Sequence, residues 1–342
     1  MSATESRELT FSFICPVYNE QEGLEMFHNR LTAVAAKLGE PYEVIYVNDG
    51  SADESAAVVR RIQAVDKNVK YVEFSRNFGH QIAVTAGYDY ASGRAVISLD
   101  SDCQHPPELI TDLVARWREG FEVVYTVRKD TEGISPIRRG IGRMVYRCIR
   151  WASGNELTDQ ADFRLMDRKA VDALLRTREQ ARFVRGLVHW IGFRQIAVPY
   201  TAEKRTTGRS NYSFKQLVNM STAGMYNFSH RPLRAAPAIG ALLLLVAVIY
   251  AGAAVVLGVM GRGPGPMMHL AMGIVALFGM QFLMLGLMGE YVARIFDEAK
   301  NRPLYIVRET TGFPSPEKPQ AVAVPGQVIQ DKTQQRRFVL YT

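Results

Sequence analysis

Two carboxylates and an amide oxygen recur at alternate positions in Asp100-Ser-Asp102-Cys-Gln104, directly after the apolar run Ala95–Leu99 and before Pro106-Pro107. Asp100, Asp102 and Gln104 could face one hard divalent cation, Mg2+ or Mn2+. Such a cation neutralises a diphosphate leaving group as its charge develops. An acidic turn or a helix cap would use the same residue types, so the triplet alone has a bland alternative. Two further polar clusters follow strand-like runs: Pro16-Val-Tyr-Asn-Glu20 and Asn48-Asp-Gly-Ser-Ala-Asp53. Asp49 can accept from a base imide or a ribose hydroxyl, and Gly50 permits a tight turn close to a ligand. Taken singly, each cluster is equally well explained as a strand-ending turn.

The elements that would position these residues alternate. Strands are expected at Phe11–Cys15, Glu43–Asn48, Val69–Glu73, Ala95–Leu99 and Glu122–Arg128, with helices near Gln21–Leu38, Asp53–Ala64, Gln81–Ala91 and Pro107–Arg118. That order reads as a doubly wound α/β sheet of parallel strands. Ligands bind beyond the carboxyl ends of such strands, so the three polar segments should converge on one cleft.

Two later segments, Pro237–Met260 and Met267 to about Gly289, carry no charge and are separated by Gly261-Arg-Gly-Pro-Gly-Pro266. A helix over the first is roughly 36 Å long, enough to cross a hydrocarbon core of about 30 Å, so a transmembrane hairpin is expected. A pair of buried core helices is the alternative. Arg231 and Arg234 before the hairpin and Arg294, Lys300 and Arg302 after it place both termini in the cytoplasm. The N-terminal residues lack a secretory leader's apolar core, and the segment after about Pro303 reads as a flexible extension. Three scattered cysteines suggest neither a disulfide framework nor a zinc site. The net charge of +7 favours anionic partners. A nucleic-acid binder would explain the charge but neither the apolar pair nor the acidic triplet.

In Pro136–Ala152, Ile137, Ile141, Met144, Val145 and Cys148 share one helical face and Arg139, Arg143, Arg147 and Arg150 the other. Such a helix could lie among lipid headgroups and bring arginines to a lipid phosphate, or pack on the sheet with a solvated basic face. Ser213–His230 is a second candidate for the bilayer boundary, with a core helix as its alternative.

In order and spacing, Pro16–Glu20, Asn48–Asp53 and Asp100–Gln104 resemble the family 2 glycosyltransferases with a GT-A nucleotide-sugar domain. The resemblance continues through Ser75–His80, Ala161-Asp-Phe-Arg-Leu-Met-Asp167 and Arg205–Ser210 into the paired apolar segments, and there looks like the polyprenyl-phosphate branch. It implies a Rossmann-like mixed sheet over residues 11–212 after a tail at 1–10. A juxtamembrane helix at 213–234, spans at 235–260 and 267–292 joined by an extracytoplasmic turn at 261–266, and a cytoplasmic tail at 293–342 would follow. Pro16, Tyr18, Glu20 and Asp49 would hold the nucleotide. Asp100, Ser101 and Asp102, with Gln104, would hold metal and donor phosphates, and Arg205 and Ser210 would close over the diphosphate. Arg138, Arg139 and Arg143 would meet the acceptor phosphate. Asp162 would orient the acceptor or sugar and assist proton removal, although Ala161 stands where the family has glycine and Gly142 where it has serine. The implied reaction is inverting transfer of a hexose, UDP-glucose before GDP-mannose or UDP-amino sugars, to undecaprenyl phosphate at the inner face of the cell membrane by a self-associating enzyme. A scaffold that has lost turnover is the rival of another class. A processive polysaccharide synthase is disfavoured because no Gln-x-x-Arg-Trp motif is present.

Overall fold

The structure is a computed structural model that describes residues 9–102, 104–128, 160–180, 182–200, 231–261 and 265–313. Strands β1 (Phe11–Val17), β2 (Tyr42–Asn48), β3 (Val69–Phe74) and β4 (Ala95–Ser98) form in the expected places. So do helices α1 (Leu24–Leu38), α2 (Ser55–Val65) and α3 (His80–Tyr90), and a 3-10 turn at Pro107–Leu109 leads into α4 (Ile110–Arg118). Helices cover both faces of these strands, so the strands bury both sides and are mostly apolar; all seven residues of β1 are buried. Leu24, Phe27, Leu31, Val34 and Ala35 of α1, spaced three or four apart, pack into the core that holds Phe11, Phe13 and Tyr46. On the other face α3 rides so close to β1 that a Cβ on Gly87 would come within 2.0 Å of the Ile14 side chain.

Eight strands make one sheet in the order β7-β5-β6-β4-β1-β2-β3-β8. Its centre is parallel as expected, with β1 between β2 and β4. Beyond β4 the sheet becomes mixed, as the family resemblance implied. There β6 (Gln160–Asp167) runs antiparallel between β4 and β5 (Val123–Arg128), so β5 keeps the direction of β1 to β4, and β7 (Gln195–Tyr200) runs parallel to β5. β6 carries Asp162 and Arg164 at buried positions, so its sequence lacks the apolar signature of a core strand. Two short helices, α5 (Arg168–Arg176) and α6 (Val184–Trp190), complete this half.

Helices α7 (Arg231–Val259) and α8 (Pro266–Ala299) lie antiparallel. A Cβ on Gly240 would stand 3.6 Å from Met280, and the Tyr250 hydroxyl is 2.7 Å from His269 Nδ1. The stretch Met267–Ala299, with mean hydropathy 2.1, is the one helix among the described residues long and apolar enough to cross a membrane; the apolar part of α7, Leu245–Val259, is shorter. α7 continues through residues 234 and 235, so no helix break falls at the boundary expected there. After α8 the chain does not run free. Residues Val307–Thr311 form β8, antiparallel to β3 at the sheet edge, which corrects the expectation of a flexible extension from Pro303 for these residues.

Candidate active site

Loops at the carboxyl ends of β1, β2 and β4 meet, as the sheet order requires. Asn19, in a left-handed conformation (φ 55°), accepts from the Ala52 N–H at 2.9 Å and donates its own N–H to Ser51 Oγ at 3.1 Å. The Glu20 N–H donates to Ser55 Oγ at 3.0 Å and the Gln21 N–H to Asp53 Oδ2 at 3.3 Å. Asn48 folds its own turn, accepting from the Ser51 N–H at 3.0 Å and donating to the Tyr71 hydroxyl at 2.9 Å. Ser101 donates its hydroxyl to the Pro16 carbonyl at 2.9 Å, joining the β4 loop to β1. Much of this polar sequence is therefore spent on building the loops. Tyr18 stays 49% exposed beside them.

Asp49 is buried, and its two oxygens accept the backbone N–H groups of Phe78 at 2.6 Å and Gly79 at 2.9 Å. Burial pushes its carboxyl above the usual carboxylate range, against the pull of those two hydrogen bonds. Each oxygen keeps a lone pair for a further donor. Gly50 (φ 65°) lies against the same loop, where an added Cβ would stand 2.5 Å from the Arg76 carbonyl carbon, so only glycine fits.

Asp100 and Asp102 meet His105, whose ligand atom lies with theirs in a group spanning no more than 4.8 Å. The His105 ring is buried near Phe163 and Tyr200, and its Nδ1, 3.5 Å from Asp100 Oδ2, has no hydrogen-bond partner among the described residues. Two carboxylates and an orphaned imidazole nitrogen suit a divalent cation. Gln104 contributes its backbone N–H to Asp102 Oδ1 at 3.0 Å.

Across β4, Asp162 is held by charge. Arg185 grips both its oxygens, at 2.9 and 2.8 Å, and the fully buried Arg164 adds a bond at 3.1 Å. Gln81 Nε2 reaches it at 3.2 Å, while Gln81 Oε1 accepts the Val184 N–H at 3.1 Å and so fixes the start of the helix that carries Arg185. Burial alone would raise the Asp162 carboxyl, but the Arg185 charge, hydrogen bonds from His80 and Arg185, and Arg164 hold it well below the usual range. His80 Nε2 stands between the two acidic groups, 3.4 Å from Asp162 Oδ2 and 3.5 Å from Asp100 Oδ1. Burial opposes its protonation, yet Asp100 and Asp162 lift its pKa to about 9.

Of the residues picked out in the sequence, Tyr18, Glu20, Asp49, Asp100, Ser101, Asp102 and Gln104 lie on the three meeting loops, with Pro16 at the end of β1 and Asp162 on β6. Arg138, Arg139, Arg143, Arg205 and Ser210 lie outside the described residues, as do the helix expected over Pro136–Ala152 and the segment Ser213–His230. His105, His80, Gln81, Arg164 and Arg185 were not picked out. The first three directly follow or belong to segments already singled out and Arg164 lies inside one; Arg185, a lone cation in the apolar run Phe183–Val188, gave no signal.

Carboxylates, imidazoles and arginines gathered at the carboxyl edge of an α/β sheet mark an enzyme that handles anionic groups. The pattern described as glycosyl transferase family 2 matches residues 12–175. The uncharacterized glycosyltransferase YkcC of Bacillus subtilis (strain 168) is 41% identical over 310 residues, covering 90% of this chain and 96% of that protein. The putative glycosyltransferase CsbB of the same organism is 37% identical over 313 residues, covering 90% and 94%. The bactoprenol glucosyl transferase of Shigella phage SfII is 31% identical over 305 residues, covering 88% and 98%. The chain belongs to glycosyl transferase family 2.

Proposed function

We propose that this glycosyltransferase moves a hexose, with inversion, from a nucleotide sugar, UDP-glucose first, to a polyprenyl phosphate such as undecaprenyl phosphate at the cytoplasmic face of the membrane. The observation that carries the reading is the pairing, in one chain, of the Asp100/Asp102/His105 cluster with an apolar helix whose side chains are almost wholly exposed, Phe282 by 70% and Leu283 by 75%. An apolar surface of that length is out of place in water and ordinary in lipid. Likeness over nearly full length to a bactoprenol glucosyl transferase supports the lipid acceptor. We take α7 and α8 as a two-span hairpin, their flanking arginines placing the catalytic domain and both termini in the cytoplasm.

In this reading Asp49, with Pro16, Tyr18 and Glu20, binds the nucleoside. Asp100, Asp102 and His105, with Gln104 beside them, would hold Mg2+ or Mn2+, which when bound offsets charge on the departing diphosphate. Arg205 and Ser210 close over the diphosphate, and Arg138, Arg139 and Arg143 meet the acceptor phosphate. A phosphate monoester with a second pKa of about 6 is already largely anionic near neutrality, so a strong base is unnecessary. Asp162, gripped by Arg185 and Arg164, is too weak a base to take a proton. Its work is to hold Arg185 and His80 at the edge of the acidic cluster, where cations ease the approach of two anions.

The test is transfer of radiolabelled sugar from UDP- and GDP-linked donors to undecaprenyl phosphate in detergent, with Mg2+, Mn2+ or EDTA. Metal-dependent labelling of lipid from one donor is expected, UDP-glucose before GDP-mannose. Folded, membrane-inserted protein that labels no lipid from any donor would remove the acceptor assignment.

A further inference from the structure

The segment leaving α8 returns to the catalytic sheet and is fastened along its length. The Gln180 backbone N–H donates to Glu298 at 2.7 Å, and the Gln180 side chain donates to the Arg302 carbonyl at 2.6 Å. Tyr305 then donates its hydroxyl to Asp89 at 2.8 Å, a carboxylate also gripped at both oxygens by Arg178. The Tyr305 ring stacks on Phe74 with centroids 5.0 Å apart, and Phe74 meets Phe78 edge-on at 5.6 Å. One residue further, the Ile306 carbonyl accepts the Ser75 N–H at 2.9 Å. Arg308 donates to the Ser75 carbonyl at 3.2 Å and to Glu73 at 3.1 Å. At the far end Gly312 (φ 84°) presses against β3, where an added Cβ would stand 2.8 Å from the Val69 carbonyl.

The fastenings at Tyr305, Ile306 and Arg308 lie where β3 runs into the loop Ser75–His80. That loop supplies the two N–H groups that hold Asp49 and ends at His80, beside Asp100 and Asp162. The strap takes both backbone groups of Ser75, its N–H through Ile306 and its carbonyl through Arg308. We infer that Tyr305 and Arg308 are positioning residues for donor binding: the strap from α8 to Gly312 sets the Ser75–His80 loop, and with it Asp49, so that the exit of the apolar helix is tied mechanically to the nucleotide pocket. The inference rests on the proposed role of Asp49 in holding the nucleoside.

The experiment uses the full chain in detergent and compares wild type with Tyr305→Leu, Arg308→Met and the milder Tyr305→Phe. Amide hydrogen exchange is measured without ligand, and binding of UDP and GDP with Mg2+ is measured by calorimetry. In Tyr305→Leu and Arg308→Met the amides of Phe78 and Gly79 should exchange about tenfold faster while those of β1 and β2 keep their protection, and nucleotide affinity should fall about tenfold, the order expected for a lost charge-assisted bond or ring stack. The KM for the lipid acceptor should stay within about twofold, since the Arg308 side chain and the Tyr305 ring bear on β3 and the Ser75–His80 loop. Tyr305→Phe keeps the stack and should lie close to wild type. Wild-type exchange at Phe78 and Gly79 in Arg308→Met, or faster exchange spread evenly over the sheet, would overturn the inference. If wild type binds neither nucleotide, the donor reading fails, and the exchange comparison still decides whether the strap sets the loop.

Discussion

On the parallel side of the sheet Asp49 is held by two backbone N–H groups from a loop, whereas on the antiparallel side Asp162 is held by two arginines, a glutamine and a histidine. Both carboxylates are buried, yet their acidities move in opposite directions: burial wins at Asp49 and the surrounding cations win at Asp162. Backbone donors fix a geometry without adding net charge. Arginines add charge and make the carboxylate part of the framework. The Asp49 side is therefore built to leave anionic groups available to a ligand or a cation, and the Asp162 side to present cations.

The largest effect should come from removing the available charge. Asp102→Asn or Asp100→Asn should lower sugar transfer on the order of a thousandfold, because charge on the leaving diphosphate goes uncompensated. Thermal unfolding should change less than in Asp162→Asn, since Asp100 and Asp102 are only partly buried. If the transfer assay shows either variant within tenfold of wild type, the acidic cluster is not the centre of the chemistry.

Asp162→Asn should do the reverse. It removes a carboxylate that the buried Arg164 donates to, a loss of about 3 kcal/mol of stability, with a transfer loss nearer a hundredfold. The pH profile of kcat/KM should keep its shape, because the carboxylate removed does not titrate near neutrality. Disappearance of an acidic limb in the variant would restore Asp162 as a base.

Acid separates the two sides further. A carboxyl held below its free value of about 3.9 contributes stability that is complete above that value and is lost as pH falls through the folded value. Asp162 is such a group. Asp49, raised on folding, contributes most below the free value and loses that contribution as pH rises through its folded value. The Tm difference between wild type and Asp162→Asn should hence be flat from neutrality to about pH 5 and shrink below about pH 4. A difference that shrinks already near pH 6 would mean that the Asp162 carboxyl is not depressed.

The same contrast explains what was legible beforehand. Strands β1 to β4 announce themselves because burial on both faces makes them mostly apolar and rich in β-formers, and the turns that follow β1, β2 and β4 carry their candidate site residues in sequence. β6 hides because Asp162 and Arg164 interrupt its pattern with charges that only the partner cations make tolerable, and Arg185 lies on a helix remote in sequence from β6. β8, with Arg308 and Glu309 in a five-residue edge strand, has the composition of a tail; its order comes from Glu73, Arg60 and the Phe74 ring. His105 is overshadowed by Pro106 and Pro107, which read as a helix opening. Where backbone geometry holds the site the sequence is readable, and where distant charges hold it the signal is scattered along the chain.

The smallest effect should come at Ser101, which sits between Asp100 and Asp102 and was expected to bind the donor. Its hydroxyl is 2% exposed with its residue and donates to the Pro16 carbonyl, so it is committed to joining β4 and β1. Ser101→Ala leaves that carbonyl unpaired and should cost about 1 kcal/mol of stability, read from urea unfolding, while donor KM stays within about twofold. A tenfold rise in donor KM with unchanged stability would mean that the hydroxyl turns to the diphosphate when donor binds, and that the loop pair is less rigid than its lacing of bonds between residues 19–21 and 51–55 implies.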